Sequence, residues 1–153
     1  MTDWTRLRTT DEAMRSVVVG GLFVILHPNS SVSREEWDEH QSFFESQCKL
    51  LRGMFVYTLG GGPNAGQRRE IQRIFGQLPD FSSAVVTPSV LVRSIVTAIN
   101  FFRTDRFKMF APTEMNEAFA YVSASESERQ DILTVIARSA DFLHPAKLQQ
   151  NSG

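Results

Sequence analysis

Short runs of β-branched and aromatic residues alternate along this chain with longer stretches whose apolar residues recur every three or four positions. The first pattern suits a pleated strand and the second an amphipathic helix. Residues 15–27 (RSVVVGGLFVILH) read as strand, with Gly20-Gly21 either a hairpin turn between two strands or a bulge in one; two strands is the preferred reading. Ser33-Arg34-Glu35-Glu36 has the form of a capping box and predicts a helix start at Ser33. Trp37, Gln41, Phe44, Cys48 and Leu51 then form an inward stripe, and Gly53 marks the stop. Residues 54–59 (MFVYTL) form a continuous apolar run, as a strand covered on both faces requires. A glycine loop at 60–64 leads into a helix over 65–77 with Ile71, Ile74, Phe75 and Leu78 inward. Further strands are predicted at 83–87 and 107–110, and further helices at 90–102, 113–122 and 125–143. The last begins at a second capping box, Ser125 to Glu128, and turns Ile132, Leu133, Ile136, Ala140 and Leu143 to one side. Such alternation with short loops implies βαβ crossovers. The expected fold is α/β: a four- to five-stranded, mostly parallel sheet with helices packed mainly on one side and an extra C-terminal helix.

A chain of 153 residues suits one domain, expected here over 1–143, that buries enough surface to need no disulfide or metal. Residues 1–10 and 144–153 are expected to be loose, the latter a disordered tail. The 16 basic and 17 acidic side chains leave a net charge of -1, which argues against a general nucleic-acid binder. The polar N-terminus has no apolar core of a signal peptide, and the longest apolar stretch, 17–26, is too short to span a bilayer. With a single cysteine, Cys48, expected to be a buried structural thiol, the expected location is the cytoplasm.

Few residues promise chemistry. Gly60, Gly61, Gly62, Asn64, Arg68 and Arg69 lie at a strand-to-helix junction, where backbone N–H groups can meet an anion. Gly61 and Gly66 have phosphate-loop spacing, but Gln67 and Arg68 stand where Lys and a hydroxyl would be needed. The plainer reading is a tight turn; the functional one is an anion or a partner's acidic group meeting Arg68 and Arg69. His27, His40 and His144 share no helical spacing, so no metal site is expected. No nucleophile elbow is present, and Ser89 after Pro88 reads as a helix cap. No cofactor or catalytic residue is expected.

The predicted helix 90–102 carries apolar residues over an arc of about 240°, well beyond the ~100° that packing on one core requires. Either it is buried between the sheet and another helix, or Val92, Val96 and Phe101 face a second molecule.

The run VYTLGGGPNAGQRREIQRIFG, then SSAVVTPSVLVRSIVTAINFF, then RFKMFAPTEMNEAFAYV resembles the STAS/SpoIIAA-like (anti-sigma-factor-antagonist-like) group over residues 17–122. The resemblance implies a small α/β domain acting as a protein-interaction module. The family's switch is a phosphorylatable serine in the loop after the central strand; the matching loop, 59–67, contains no Ser, Thr or Asp. The expectation is therefore a non-enzymatic regulatory module, with another protein as partner; self-association into a homodimer is compatible with it. The alternatives are a domain for a small apolar ligand or lipid, marked by an apolar pocket of ~300 Å³ or more, and, further off, a nucleotide- or anion-binding domain using the 60–66 loop.

Overall fold

The computed structural model describes residues 8–9, 13–60, 63–78, 80–88 and 107–144. Gly61, Gly62 and the expected helix 90–102, with Val92, Val96 and Phe101, lie outside the described residues. Among the described residues, six strands form one sheet in the order of the chain: β1 (Arg8–Thr9), β2 (Arg15–Val19), β3 (Leu22–His27), β4 (Gly53–Thr58), β5 (Ser82–Val86) and β6 (Phe107–Phe110). The pairs β1·β2 and β2·β3 are antiparallel, and the three pairs from β3 to β6 are parallel. The α/β class and the largely parallel sheet thus agree with the sequence reading. Gly20-Gly21 is the hairpin turn: Val19 pairs with Leu22, and Gly20 takes a φ of +57°, which two-residue hairpin turns need at their first central position. Arg8–Thr9 is an edge strand where the sequence suggested a loose end; two residues are too few to show an alternating pattern.

Helix α1 (Arg34–Gln47) connects β3 to β4, and α2 (Ala65–Phe75) connects β4 to β5. Both lie on one face of the sheet, as crossovers of one hand between successive neighbours must. Phe44, Cys48, Ile74 and Phe75 pack there against Phe23, Met54, Val85 and Phe107. The rings of Phe23 and Phe44 meet edge-on at 5.1 Å, and Phe75 lies 4.9 Å from Phe107. Each buried ring contributes about 2 to 3 kcal/mol by removal from water.

The opposite face is also covered, by α3 (Met115–Tyr121), α4 (Glu126–Arg138) and α5 (Ala140–Leu143). Cover extends to this second face because β2, β3 and β4 are apolar on both sides: Val24 and Phe55 point one way, Phe23 and Met54 the other. Phe119 stacks on Phe55 at 5.0 Å, and Ile132, Val135 and Leu143 close the layer.

Several local expectations are corrected. The expected helix 125–143 breaks at Ser139, and Val135 rather than Leu133 turns inward; Leu133 remains exposed. The helix expected over 113–122 is a 3-10 turn, Pro112–Glu114, followed by α3. Gly53 is the buried first residue of β4, whereas α1 ends at Gln47 and runs into a 3-10 turn, Cys48–Leu50. The buried stripe of α1 is Glu36, His40 and Phe44, while Trp37 and Gln41 are half-buried.

Candidate functional site

The parallel strands deliver their exit loops to one edge of the sheet, the place where open α/β sheets offer ligands a crevice. His27 and Thr58 sit side by side at the ends of β3 and β4, and Thr87 follows β5; all three are buried. His27 Nδ1 bonds the Pro28 carbonyl at 2.9 Å, while its Nε2 is buried without a hydrogen-bond partner among the described residues. Burial lowers the pKa of His27 below its ordinary value; the Pro28 bond and the nearby Glu36 carboxylate oppose that shift without cancelling it.

Beside this row lies a buried polar chain. Glu36 accepts hydrogen bonds from the Ala13 and Met14 N–H groups, both at 3.1 Å, and its carboxylate lies 3.8 Å from His40 Nε2. His40 Nδ1 in turn bonds Ser16 Oγ at 2.6 Å. Serine, histidine and acid in sequence invite comparison with a nucleophile, base and orienting acid. The connectivity is reversed, since a serine hydrolase joins the hydroxyl to Nε2 and the acid to Nδ1. Ser16 is also wholly buried, so a substrate does not reach it. The chain ties α1 to β2. It also removes half of the expected capping box at Ser33: Ser33 Oγ accepts from the Glu36 N–H at 3.1 Å, but the Glu36 carboxylate is spent on Ala13 and Met14.

On the outer side of the same helices, α1 and α2 bound a solvent-facing groove of about 430 Å³. Its sides are Arg34, Trp37, Asp38 and Gln41 from α1 and Asn64, Gly66, Gln67 and Glu70 from the start of α2. Asn64 and Gln67 form a reciprocal capping box, each side chain taking the other's backbone N–H, at 2.8 and 2.9 Å. Trp37 Nε1 donates to Gln41 Oε1 at 3.1 Å. Trp37 and Gln41 also border a smaller apolar cavity of about 70 Å³ that reaches inward to Ile25, His40, Ile71 and Phe75.

Gly60 takes a role here that is mainly steric. Gly60 has a φ of +148°, and a Cβ built on it would stand 2.8 Å from Asn29 Oδ1, so the exit loops of β3 and β4 pack without a side chain between them. Of the predicted site residues, Asn64 lines the groove. Arg68 donates to the Pro63 carbonyl at 3.2 Å, and Arg69 is exposed on α2. The groove walls Trp37, Asp38, Gln41 and Glu70 were missed as site residues, because their convergence depends on how two helices are placed.

At the opposite edge, Glu128 holds three elements together. Its carboxylate accepts from Gly21 N and Ser125 N, each at 2.8 Å, and pairs with Arg52. Burial alone raises this carboxyl, but the bonds from Arg52, Ser125 and Gly21 outweigh it and bring the pKa to about 2. Among the described residues no three His, Cys, Asp or Glu side chains are grouped to hold a metal ion, and no helix is long and apolar enough to cross a membrane. Compared with protein-family models, with curated proteins and with solved structures, this chain matches none.

Proposed function

We propose that this chain is a non-enzymatic interaction module whose docking surface is the groove between α1 and α2. The observation that carries this reading is the division of labour among the polar groups. Glu36, His40 and Ser16 are committed to each other and to the backbone inside the fold, while Arg34 and Asp38 stand exposed beside an open groove that Asn64, held in its capping box, and Glu70, paired with Arg73, also line. The apolar cavity of about 70 Å³ is well below the ~300 Å³ from which small-molecule pockets begin, so a protein partner is favoured over a lipid or free apolar ligand. The sequence's resemblance to the STAS/SpoIIAA-like group implies the same class of role, without the family's serine switch.

Gly66 supplies the test. It is exposed in the first turn of α2, and a Cβ there meets nothing closer than 3.6 Å. Gly66→Arg adds a good helix former and fills the groove. Immobilised wild-type protein should capture a partner from its host's lysate that the variant loses, with Tm unchanged or slightly raised. Equal capture by both would remove the groove from the function.

A further inference from the structure

The geometry points to a second copy of this chain as the occupant of another groove, at the far end of α1 and α2. Beyond α1 the chain makes its 3-10 turn, Cys48–Leu50, and beyond α2 it turns through Gln77 and Leu78. Between them lies an open groove of about 390 Å³ whose lining includes the apolar Cys48, Leu51, Leu78 and Phe81 and the oppositely charged Lys49 and Asp80. Leu50 stands beside it, 80% exposed, and does not line it. A lone exposed leucine is ordinary on a protein surface. This one is flanked in sequence by two walls of the groove, Lys49 and Leu51, so a projecting apolar knob and an apolar hollow share one surface. A two-fold axis between two copies sets each knob over the other's hollow, the self-complementary arrangement of a closed dimer.

The second observation is charge. Lys49 and Asp80 are both exposed, and among the described residues neither joins an ion pair. Arg52, which also lines the groove, is already held by Glu128 and the Ser123 carbonyl. One uncommitted charge of each sign in the same groove suits a two-fold contact, in which Lys49 of each copy meets Asp80 of the other. A foreign partner would have to supply both counter-charges itself. With a net charge of -1, two copies approach with little overall repulsion. The two grooves lie at opposite ends of the helices, the first at the starts of α1 and α2 and this one past their ends. The dimer therefore leaves the docking groove open and presents it twice, which strengthens the hold on any partner with two copies of its own site; that consequence alone rests on the docking role.

Sedimentation equilibrium of the full chain over a concentration series should resolve monomer and dimer. Leu50→Asp should be monomeric throughout with Tm unchanged, because the side chain it replaces is exposed. Lys49→Asp and Asp80→Lys should each weaken the dimer about tenfold. The two together should restore it, since the exchanged charges still meet across the two-fold axis. A wild-type chain that stays monomeric up to about 1 mM, the weak limit of a specific contact, overturns the proposal, as does a Leu50→Asp chain that dimerises as well as the wild type. A double variant as weak as either single overturns the pairing on which the choice of occupant rests. Capture of a partner that is insensitive to Gly66→Arg removes the docking role and leaves the dimer standing; a monomeric wild type does the reverse.

Discussion

The acidic side chains show most clearly how a residue's neighbours decide its work. Glu35 and Glu36 are adjacent in sequence, yet one is exposed and the other buried. Glu36 satisfies two backbone N–H groups 22 and 23 positions earlier, which no local pattern reveals. Glu36→Ala should cost about 2 to 4 kcal/mol, because Ala13 and Met14 would be left as buried donors without an acceptor; denaturant melts measure it. Glu128 was legible as a cap because Ser125 lies three residues away, but its bonds to Gly21 and Arg52 were not. With a folded pKa of about 2 against an ordinary 4.5, Glu128 contributes stability that is complete above about pH 4.5 and is lost as the pH falls toward 2. Urea midpoints between pH 5 and 2 should show that loss in the wild type, and Glu128→Gln should be less stable at neutral pH with a shallower acid slope.

At the scale of elements, strands were read well where they are apolar on both sides. Residues 107–110 form β6 with the expected bounds, and the run at 54–59 is β4 shifted by one residue. Helix starts were legible from Ser33 and Ser125, whose side chains each accept the N–H three residues on. Helix ends were read less well. The break at Ser139 and the outward turn of Leu133 follow from how α4 and α5 lie on the sheet, and periodicity alone sees neither. The α1–α2 groove was illegible for the same reason, apart from Asn64. The hairpin between β2 and β3 gives an element-scale prediction. A Cβ at Gly20 would sit 2.3 Å from Glu128 Oε2 and force a left-handed φ on a residue with a side chain. Gly20→Ala should therefore lower stability by about 1 to 3 kcal/mol, read from Tm, whereas Gly66→Ala should be neutral or stabilising.

For the whole molecule, two aromatic-rich layers sandwich the sheet, and the histidine at its edge links that architecture to pH. Burial keeps His27 below its ordinary pKa of 6.5, so the unfolded chain takes up a proton more readily than the fold. The sign follows: stability is full above about pH 6.5 and declines as the pH falls below it, until the folded histidine also titrates. Glu36 faces His27 from α1 and moderates the decline. His27→Gln, which keeps a polar side chain at the edge, should flatten the stability profile between pH 7 and 5; an unchanged slope would place the acid sensitivity elsewhere.

The bond from Gly21 N to Glu128 joins positions 107 residues apart, and the Arg52 pair spans 76. Loops of that length close late when a chain folds, after nearer contacts have formed. Glu128 therefore behaves as a latch on the completed structure rather than as part of its nucleus. Replacing it should accelerate unfolding while leaving the refolding rate almost untouched. In a stopped-flow chevron the right-hand limb should rise and the left-hand limb stay in place, so the lifetime of the folded chain is governed by a tie that plays little part in its assembly.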